Sequence, residues 1–482
     1  MSLLLSELLK DLAIVPVDCE IKKLVSDSRA VNRDTLWLAA QGIKHHALDF
    51  YQPNMQAAAI VYEPPYVNLP AGAIACEHLS QHLGLIAARF YRHPSQALKV
   101  IGVTGTDGKS SLVYFLAQAT DAAMLGTIGY GTLDKLEEAS HTTPDPLRLQ
   151  QYLAQFRDAG VQTVAMEVSS HALAQERASA VDFSIGVFTN LSRDHLDYHH
   201  DMEDYFLAKA RLFARPLPYA VINIDDAYGR RLLDEKRVHA DTQIIAVSSH
   251  GQTHPAATQL LQAEEIELTL DGIRFTLVNG TQRAVVHSGL LARFNVDNLL
   301  NVAACLLALG TPFQSLPDKL AALHGVPGRA ERISLGNGAA AIVDYSHTPA
   351  ALANILQGVR AHVSGKLWCV FGCGGDRDSG KRPLMAQAAE RYADAIVVTD
   401  DNPRTENPAD IIADIVRGMG HREQAWIQRS REVAITFVLP QLQAGDAVVI
   451  AGKGHENYQI IGTSKHHFSD QETVQSWLKQ NR

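Results

Sequence analysis

The segment Leu98-Lys99-Val100-Ile101-Gly102-Val103-Thr104-Gly105-Thr106-Asp107-Gly108-Lys109-Ser110-Ser111 joins an apolar run to a glycine-bearing loop. The Val- and Ile-rich run predicts a buried strand, and the apolar residues at 112–117 predict that a helix begins after the loop. Such a loop presents backbone N–H groups and a helix dipole to phosphate, while Lys109 reaches the outer phosphates and Ser110 can ligate Mg²⁺. We therefore predict a nucleotide-binding loop, a shortened P-loop with Val103 in place of Gly or Ala, in preference to a glycine-capped turn.

Length and composition exclude several classes of protein. The 482 residues exceed what one hydrophobic core normally organises, and the net charge of −9 with no Lys- and Arg-rich tract argues against a nucleic-acid binder. No apolar run is long enough to span a membrane, and Glu7, Lys10 and Asp11 make the N-terminus an amphipathic helix rather than a signal peptide. Five scattered cysteines form no Cys-x-x-Cys motif and fit buried thiols in a reducing compartment, so we expect a cytoplasmic protein.

Strands alternate with helices along the chain, which predicts an α/β protein with parallel sheets. We expect a small N-terminal α/β unit at 1–89, a central P-loop-type unit with a mostly parallel sheet at 90–330 and a third α/β unit at 331–482. The best candidate hinge is Gly325-Val326-Pro327-Gly328-Arg329. Buried strands are predicted at 161–168 and 183–190, an antiparallel edge at 243–288, and strands of the third unit at 340–345, 367–371, 395–399 and 447–451.

Three strands of the third unit run directly into polar or glycine-rich loops, at 372–377, 400–404 and 452–456. Ligands bind at the carboxyl ends of strands in open α/β sheets, so these loops are expected to line one site. Cations concentrate in or beside two of them, namely Arg377, Lys381, Arg382 and Arg404. Bidentate arginine suits carboxylates, so a ligand with a carboxylate is indicated, against the alternative of solvated loops.

Several single residues leave two interpretations open. Glu167 ends an apolar strand and is better explained as a second Mg²⁺ contact than as a surface acid. His195 lies in a segment with three histidines, where metal ligation and a solvated loop are equally supported. Residue chemistry alone favours a snorkelling surface residue at Lys209 and a polar turn at Asp27-Ser28-Arg29. Asp344 ends a strand, where it either touches nucleotide or caps a helix.

Four motifs in order resemble the Mur ligases, the ATP-dependent amino-acid-adding enzymes of peptidoglycan synthesis. They are Gly105-Thr106-Asp107-Gly108-Lys109-Ser110-Ser111, Met166-Glu167-Val168-Ser169-Ser170-His171-Ala172-Leu173, Asn190-Leu191-Ser192-Arg193-Asp194-His195-Leu196-Asp197-Tyr198-His199 and Gly372-Cys373-Gly374-Gly375-Asp376-Arg377-Asp378. In addition, Asp401-Asn402-Pro403-Arg404 resembles the form that selects meso-diaminopimelate, and lysine-adding relatives differ there. Each motif is short, but their joint occurrence from end to end is highly specific.

The resemblance implies a UDP-binding N-terminal domain, a central ATPase and a C-terminal Rossmann-like domain that holds the incoming amino acid. ATP would contact residues 105–111 together with Asn298, Arg329, Asp344 and His347. The UDP-muramoyl dipeptide would contact Ser28, Thr142, Thr143, Ser169, Gln175 and Arg177. Diaminopimelate would contact Arg377, Asp401, Asn402, Pro403, Arg404, Gly452 and Glu456.

The same resemblance implies a Mg²⁺ site and a modified lysine. The catalytic set would be Lys109, Lys209, Glu167 and His195, with Lys209 converted by CO₂ to a carbamate. Mg²⁺ would be held by Ser110, Glu167, His195 and the carbamate. The other expected partners are small molecules, with no nucleic acid, no membrane insertion and a monomeric state. Some positions depart from the family pattern: Asp107 replaces Asn, Ser110 replaces Thr, Ser346 replaces Ala, and residues 44–49 lack the common Asp-Gly.

These motifs lead to a mechanistic hypothesis. ATP would phosphorylate the D-Glu carboxylate of the nucleotide substrate, and the amine of diaminopimelate would then displace phosphate from the acyl phosphate to form an amide. Other members of the same enzyme class remain as alternatives: a lysine-adding or other Mur-type ligase, or a folylpolyglutamate synthase. From different classes, a P-loop nucleotide switch would hydrolyse nucleotide without forming an amide, and a UDP-sugar-binding regulator would lack turnover.

Overall fold

A computed structural model describes residues 2–42, 44–139, 141–196, 198–422 and 425–481. Its contacts divide the chain into two units, one formed by Met1–Leu261 with Asn301–Thr311 and the other by Gln262–Leu300 with Pro312–Arg482. Both units are α/β in character, which confirms the predicted fold class. The three domain boundaries at 89/90 and 330/331 stay predictions.

The first unit contains the following elements in chain order. The strands are β1 (Leu3–Leu4), β2 (Glu20–Ile21), β3 (Lys23–Val25), β4 (Thr35–Ala39), β5 (Ala59–Tyr62), β6 (Ile74–Ala75), β7 (Lys99–Thr104), β8 (Ala123–Gly126), β9 (Gly129–Thr132), β10 (Lys135–Glu137), β11 (Thr163–Glu167), β12 (Ile185–Phe188), β13 (Tyr219–Asn223) and β14 (Gln243–Ser248). The helices are α1 (Leu5–Leu8), α2 (Leu79–Phe90), α3 (Lys109–Thr120), α4 (Pro146–Asp158), α5 (Ser170–Ala174), α6 (Met202–Ala210) and α7 (Ala227–Asp234).

The strand of the phosphate loop, β7, lies inside the larger sheet of this unit, between β11 and β12. All three strands are parallel, and their register places Glu167 opposite Val103 and Phe188 opposite Thr104. Their carboxyl ends therefore meet at one edge. A buried apolar cluster on one face of this sheet, including Val100, Met166 and Phe188, holds the strands in place. Earlier in the chain, β3 to β6 form a separate parallel sheet.

β15 (Gln259–Thr269) and α8 (Phe294–Ala308) have residues in both units. The second unit has the strands β16 (Gly272–Asn279), β17 (Gln282–Ser288), β18 (Glu331–Ser334), β19 (Ala340–Asp344), β20 (Leu367–Phe371), β21 (Ala395–Val398), β22 (Ala425–Ile427), β23 (Ala447–Ala451), β24 (Tyr458–Ile461) and β25 (Ser464–His467). Its helices are α9 (Leu316–Ala321), α10 (Pro349–Arg360), α11 (Lys381–Tyr392), α12 (Pro408–Arg417), α13 (Arg431–Val438) and α14 (Asp470–Gln480).

Six strands of the second unit form a sheet in the order β18-β19-β23-β20-β21-β22, parallel except for the edge strand β18. Asp344 and Phe371 both lie opposite Ala451, so the carboxyl ends of β19, β20 and β23 coincide. The loops at 372–377, 400–404 and 452–456 therefore start from one edge of this sheet. The predicted antiparallel edge exists as the β16–β17 pair, whereas β14 pairs in parallel with β13.

The apolar N-terminal segment forms only a four-residue helix, α1, whose Leu5 and Leu8 are buried. Within the described part of the chain, no helix has both the length and the hydropathy to cross a membrane.

Candidate active site

The phosphate loop is fixed by the segment that follows β12. Thr106 N–H donates to the Asn190 carbonyl at 2.9 Å, Asp107 N–H donates to Asn190 Oδ1 at 2.9 Å, and Thr189 Oγ1 donates to the Asp107 carbonyl at 2.8 Å. Gly105 has φ +152°, and a Cβ built there would lie 1.9 Å from Thr189 Oγ1. Glycine is therefore required at this position both by backbone conformation and by space.

Lys109 is the first residue of α3 and folds over the loop before it. Its Nζ donates to the carbonyls of Gly105 at 2.9 Å and Thr106 at 2.7 Å. Burial lowers the pKa of this amine, while the negative charges of Glu167 and Asp107 oppose the shift. The ammonium group thus lies on the loop that is predicted to hold phosphate.

Glu167, the last residue of β11, is 1% exposed, so the surface-acid alternative is wrong. Thr127 N–H donates to its Oε1 at 2.7 Å, and the Ser110 hydroxyl also hydrogen-bonds the carboxylate. Gly126 makes room for it, because a Cβ there would lie 2.4 Å from Oε1. Burial raises the pKa of Glu167, and these hydrogen bonds and the Lys109 charge reverse only part of the effect.

Lys209 in α6 is 1% exposed, so the expectation of a snorkelling surface lysine is wrong. Its Nζ donates to the Gly105 carbonyl at 2.7 Å and lies 4.6 Å from the centre of the Tyr205 ring. Burial, reinforced by the positive charge of Lys109, lowers the pKa of Lys209 well below its ordinary value. Sequence periodicity missed this burial because a single lysine on an amphipathic helix carries no sign of a polar partner elsewhere in the chain.

His195 lies in the loop between β12 and α6, with φ +53°. Its ring is partly exposed, with Nε2 3.5 Å from Asp194 Oδ2, and it stands edge-on to the rings of His171 and Tyr205. Asp197, in the same motif, lies outside the described residues. Among the residues that the structure describes, no group of three or more His, Cys, Asp or Glu side chains could hold a metal ion.

The residues present nevertheless fit Mg²⁺ bound together with nucleotide. Mg²⁺ prefers hard oxygen ligands and is commonly held by one or two carboxylates plus substrate phosphates. The buried Glu167 carboxylate and the Ser110 hydroxyl are in contact beside the loop and supply that donor chemistry. His195 and Lys209 remain predicted ligands.

His199 is a residue whose role sequence reasoning missed. It is buried, with Nε2 2.9 Å from Ser170 Oγ and Nδ1 3.3 Å from Asp204 Oδ2. It therefore links the start of α5 to the first turn of α6, which carries Lys209. The solvated-loop interpretation is wrong for this histidine.

Four of the predicted dipeptide-binding residues lie together beside Glu167. Thr143 Oγ1 donates to the Glu167 carbonyl at 2.9 Å and accepts from Ser169 N–H at 3.1 Å. Arg177 donates to the Thr143 carbonyl at 3.2 Å and, through Nε, to Gln175 Oε1 at 2.9 Å. A fifth predicted residue, Thr142, accepts from Thr127 Oγ1 at 3.2 Å.

Ser28 is the remaining predicted dipeptide-substrate residue. It begins a short 3₁₀ helix, Ser28–Ala30, and is half-buried. Asp27 caps this helix through the Arg29 N–H and pairs with the Arg29 side chain at 2.7 Å. The turn is polar and local, as its sequence indicates.

The predicted nucleotide contacts of the second unit have well-defined local roles. Asp344 accepts from Ala330 N–H at 2.7 Å and from Ser346 N–H at 2.8 Å, while Thr348, not Asp344, caps α10. The guanidinium of Arg329 lies 5.8 Å from the Tyr345 ring centre. His347 Nδ1 lies 2.9 Å from the Tyr345 carbonyl, and Asn298 donates to Asn295 Oδ1 at 2.8 Å.

The loops after β20, β21 and β23 meet at the edge of the second sheet. Gly375 N–H donates to the Asn402 carbonyl at 2.9 Å, Arg404 donates to the Gly375 carbonyl at 2.8 Å, and Asn402 Nδ2 donates to Glu456 Oε2 at 3.1 Å. Arg377 is exposed beside them. The predicted amino-acid-binding residues are thus neighbours.

Arg382 is the exception among the clustered cations. It is 1% exposed and paired with Glu406 at 2.7 Å and with Asp414 at 3.0 Å. Its charge is therefore used inside the fold, and the expectation that it binds a ligand carboxylate is wrong. Lys381 donates to the His347 carbonyl at 2.8 Å.

Lys453 is a second residue that sequence reasoning passed over. It lies between Gly452 and Glu456 in the predicted site, is fully buried and contacts Asn402, Asp401 and Tyr458. The signal that could have found it is the unusual charge sequence of the loop, with one cation between two glycines and a nearby acid.

Two family profiles match the chain: the Mur ligase middle domain over residues 103–306 and the Mur ligase, glutamate ligase domain over residues 328–454. A UDP-N-acetylmuramoyl-L-alanyl-D-glutamate--2,6-diaminopimelate ligase of Xanthomonas campestris pv. campestris is 47% identical over 480 residues, which cover 97% of this chain and 95% of the relative. The enzyme of the same name from Pseudomonas aeruginosa is 44% identical and is matched over 96% of each chain.

Solved structures agree with these matches. A structure of a UDP-N-acetylmuramoyl-L-alanyl-D-glutamate--2,6-diaminopimelate ligase has a TM-score of 0.79 and 35% identity, covering 100% of this chain and 99% of the other. MurF from Acinetobacter baumannii has a TM-score of 0.58 at 19% identity, over 96% and 94% of the two chains, and shares the fold.

Proposed function

Because this chain belongs to the Mur ligase family, we propose that it adds meso-2,6-diaminopimelate to the D-Glu carboxylate of UDP-N-acetylmuramoyl-L-Ala-D-Glu. The reaction uses ATP and proceeds in two steps. The γ-phosphoryl group passes to the carboxylate, which gives an acyl phosphate and ADP. The amine of diaminopimelate then attacks the acyl carbon, the new C–N bond forms, and phosphate leaves as the amine loses a proton.

The observation that carries this proposal is the buried arrangement around the phosphate loop. Glu167 and Lys209 are both 1% exposed, and Lys209 hydrogen-bonds the loop at Gly105. Burying two ionisable groups costs free energy that a merely structural loop has no reason to bear. The names of the Xanthomonas and Pseudomonas relatives support the choice of substrates.

Residues of the loop would act directly on the triphosphate. Lys109 would exchange the Gly105 and Thr106 carbonyls for the outer phosphate oxygens, and the N–H groups at the start of α3 would face the same charge. Magnesium held by Ser110 and Glu167, with His195 and modified Lys209, would neutralise charge on the phosphates. Arg177 and its neighbours Thr143, Ser169 and Gln175 would orient the dipeptide so that its carboxylate faces the γ-phosphoryl group.

Lys209 supports the proposed carbamate. CO₂ adds to a neutral amine, the N–C bond forms and a proton leaves, so a depressed pKa favours the reaction. The product would turn a cation into an anion that can serve as a metal ligand. Removing CO₂ and bicarbonate should lower the activity, and adding bicarbonate should restore it, whereas Lys209→Met stays inactive in both conditions. Full activity of the CO₂-depleted protein would contradict the carbamate.

In the second unit, Arg377 and Arg404 would bind a carboxylate of diaminopimelate, and Asp401, Asn402 and Glu456 would bind its distal ammonium group. We place the reaction in the cytoplasm and expect a monomer. All five cysteines are free, which supports a reducing compartment.

The test is an assay of ADP release with the purified chain, ATP, Mg²⁺, the UDP-dipeptide and meso-diaminopimelate. We expect release to depend on all four additions and the mass of the nucleotide product to increase by one diaminopimelate residue. Lys109→Met serves as the inactive control. ATP hydrolysis at the same rate with and without the UDP-dipeptide and meso-diaminopimelate would instead support a nucleotide switch and contradict the proposal.

A further inference from the structure

Lys453 occupies the centre of the loop cluster in the second unit. It is fully buried, which is rare for lysine unless its charge is compensated. Its Nζ donates to the Tyr458 carbonyl at 2.8 Å and to Asn402 Oδ1 at 3.1 Å, and it pairs with Asp401 Oδ1 at 3.1 Å. These contacts are two hydrogen bonds and one ion pair, because Asp401 Oδ1 accepts no hydrogen bond from the described residues. Because Lys453 is fully buried, its ammonium group has no exposed surface with which to contact a ligand.

The contact with Lys453 fixes which way the Asn402 amide faces. Asn402 Oδ1 accepts from Lys453 and also from Ile460 N–H at 2.9 Å, so its two lone pairs are both used. Nδ2 must then occupy the other side, where it donates to Glu456 Oε2 at 3.1 Å. The amide orientation follows from this network of partners.

Lys453 also holds the two carboxylates of the cluster. Asp401 Oδ1 faces Lys453, while Oδ2 lies beside Gly452, where a Cβ would approach it to 3.1 Å. Glu456 Oε2 is 4.0 Å from the ammonium group. A second buried cation, Arg431, also acts on Asp401 and Glu456, but it is paired with Asp470. Without Lys453 the two carboxylates would repel each other more strongly in a poorly hydrated place and would move apart.

From this geometry we infer that Lys453 is a positioning residue that sets the amino-acid specificity of the second unit by fixing Asp401, Asn402 and Glu456. It acts through these residues and does not touch the amino acid. The inference rests on the proposed function, in which these three side chains bind the distal ammonium group of diaminopimelate and the neighbouring Arg404 binds a carboxylate. Arg404 donates to the Asn402 carbonyl at 3.5 Å, so a displacement of Asn402 also displaces the guanidinium that would bind the distal carboxylate. L-lysine lacks this carboxylate and would lose less.

The test uses Lys453→Met, which keeps the length of the side chain and removes its charge and donors. We expect KM for meso-diaminopimelate to rise by about tenfold or more, with kcat and the KM values for ATP and the UDP-dipeptide changed by less than about threefold. The ratio of kcat/KM for meso-diaminopimelate to that for L-lysine should fall by a similar factor. A purely structural role would not move this ratio.

Arg360→Met is the matched control. Arg360 is another cation of the second unit, half-buried, and it pairs with Asp394 at 2.7 Å. Asp394 also accepts from the N–H of Leu367, the first residue of β20, so this pair lies at the opposite end of the strands from the loop cluster. Arg360→Met should lower the melting temperature, because it removes this ion pair, and should leave all KM values and the selectivity ratio unchanged.

A second variant covers the case in which Lys453→Met does not fold. Lys453→Gln keeps one N–H donor for Asn402 without the charge, and it should give an intermediate rise in KM for diaminopimelate. If a folded Met or Gln variant retains the wild-type KM and selectivity, the inference is wrong. If the wild-type chain itself fails to use diaminopimelate, the proposed function fails instead, so the two failures are distinguishable.

Discussion

Burying the Glu167 carboxylate costs free energy, and we propose that this carboxylate binds Mg²⁺. The carboxylate is buried and its pKa is raised by that burial above the ordinary value of 4.5. A raised pKa in the folded state means that the native protein binds the proton more tightly than the unfolded chain does. The stabilising contribution of this group is therefore complete below pH 4.5 and is lost as the pH rises through the raised pKa.

Glu167→Gln should consequently be more stable than the wild type at pH 8 in Mg²⁺-free buffer, and this advantage should vanish on acidification. Its ligase activity should fall by about 100-fold or more, because the proposed Mg²⁺, which would supply several kcal/mol of charge stabilisation, would lose a ligand. Melting curves across pH with and without Mg²⁺-ATP check both parts. Mg²⁺-ATP should stabilise the wild type more than the variant, and equal stabilisation would contradict the assigned role.

Unlike Glu167, Asp107 is exposed. Its carboxylate has no partner among the hydrogen bonds of the described residues. Only its backbone is held, by Asn190 and Thr189, and its side chain is exposed. Asp107→Asn should preserve the loop and reduce repulsion of the triphosphate, so KM for ATP should stay equal or fall by a few fold. The effect should shrink at high ionic strength.

The measurement for Asp107→Asn is steady-state kinetics at two salt concentrations. A large loss of kcat in this variant would show that the Asp107 carboxylate has a role of its own in the reaction, and the expectation of simple charge repulsion would then be wrong.

The sequence alone predicted the burial of some of these residues and not that of others, because burial depends on where the partner residues lie in the chain. Glu167 follows a visibly apolar strand, so its burial could be read from its neighbours. Lys209 and Lys453 are buried by partners 104 and 51 residues away, Gly105 and Asn402, which no local pattern reveals. Arg382 shows the reverse error, because its acidic partners Glu406 and Asp414 satisfy it inside the fold.

The secondary structure was predictable for several strands that are buried on both faces. The expected strands at 367–371 and 447–451 coincide with β20 and β23, whose five residues each are all buried. Short elements such as α1 and α5 were not predictable in extent, because tertiary contacts rather than helix length stabilise them.

A buried ion pair joins two helices of the second unit, and we expect the stability of the unit to depend on it. Arg431 in α13 and Asp470 at the start of α14 are both fully buried and joined by hydrogen bonds of 2.8 and 2.7 Å. Asp470→Asn leaves the arginine charge buried without its counter-ion and should reduce the free energy of unfolding by about 3–5 kcal/mol. Arg431→Met combined with Asp470→Asn should lose less than the single variant.

Urea denaturation followed by tryptophan fluorescence measures this change, since Trp368, Trp426 and Trp477 lie in the same unit. A loss of less than about 1 kcal/mol in the single variant would show that the pair is dispensable.

For the molecule as a whole, sequence patterns alone supported a nucleotide-binding α/β protein with a carboxylate site. The step from there to an amide ligase required the joint order of the motifs, because each part has other uses in other proteins. The family relationship is shown by matches over nearly the full chain. The three-domain boundaries and the assignment of single residues to ATP, dipeptide and amino acid remain predictions that binding experiments can test.

The most direct test of the central claim is amino-acid selectivity with UDP-N-acetylmuramoyl-L-Ala-D-Glu as the acceptor. Purified protein is incubated with ATP, Mg²⁺ and either meso-diaminopimelate or L-lysine at equal concentrations, and the nucleotide product is identified by mass. We predict rapid formation of the diaminopimelate-containing tripeptide and little or no lysine product. Efficient turnover of L-lysine without use of meso-diaminopimelate would contradict the proposed specificity.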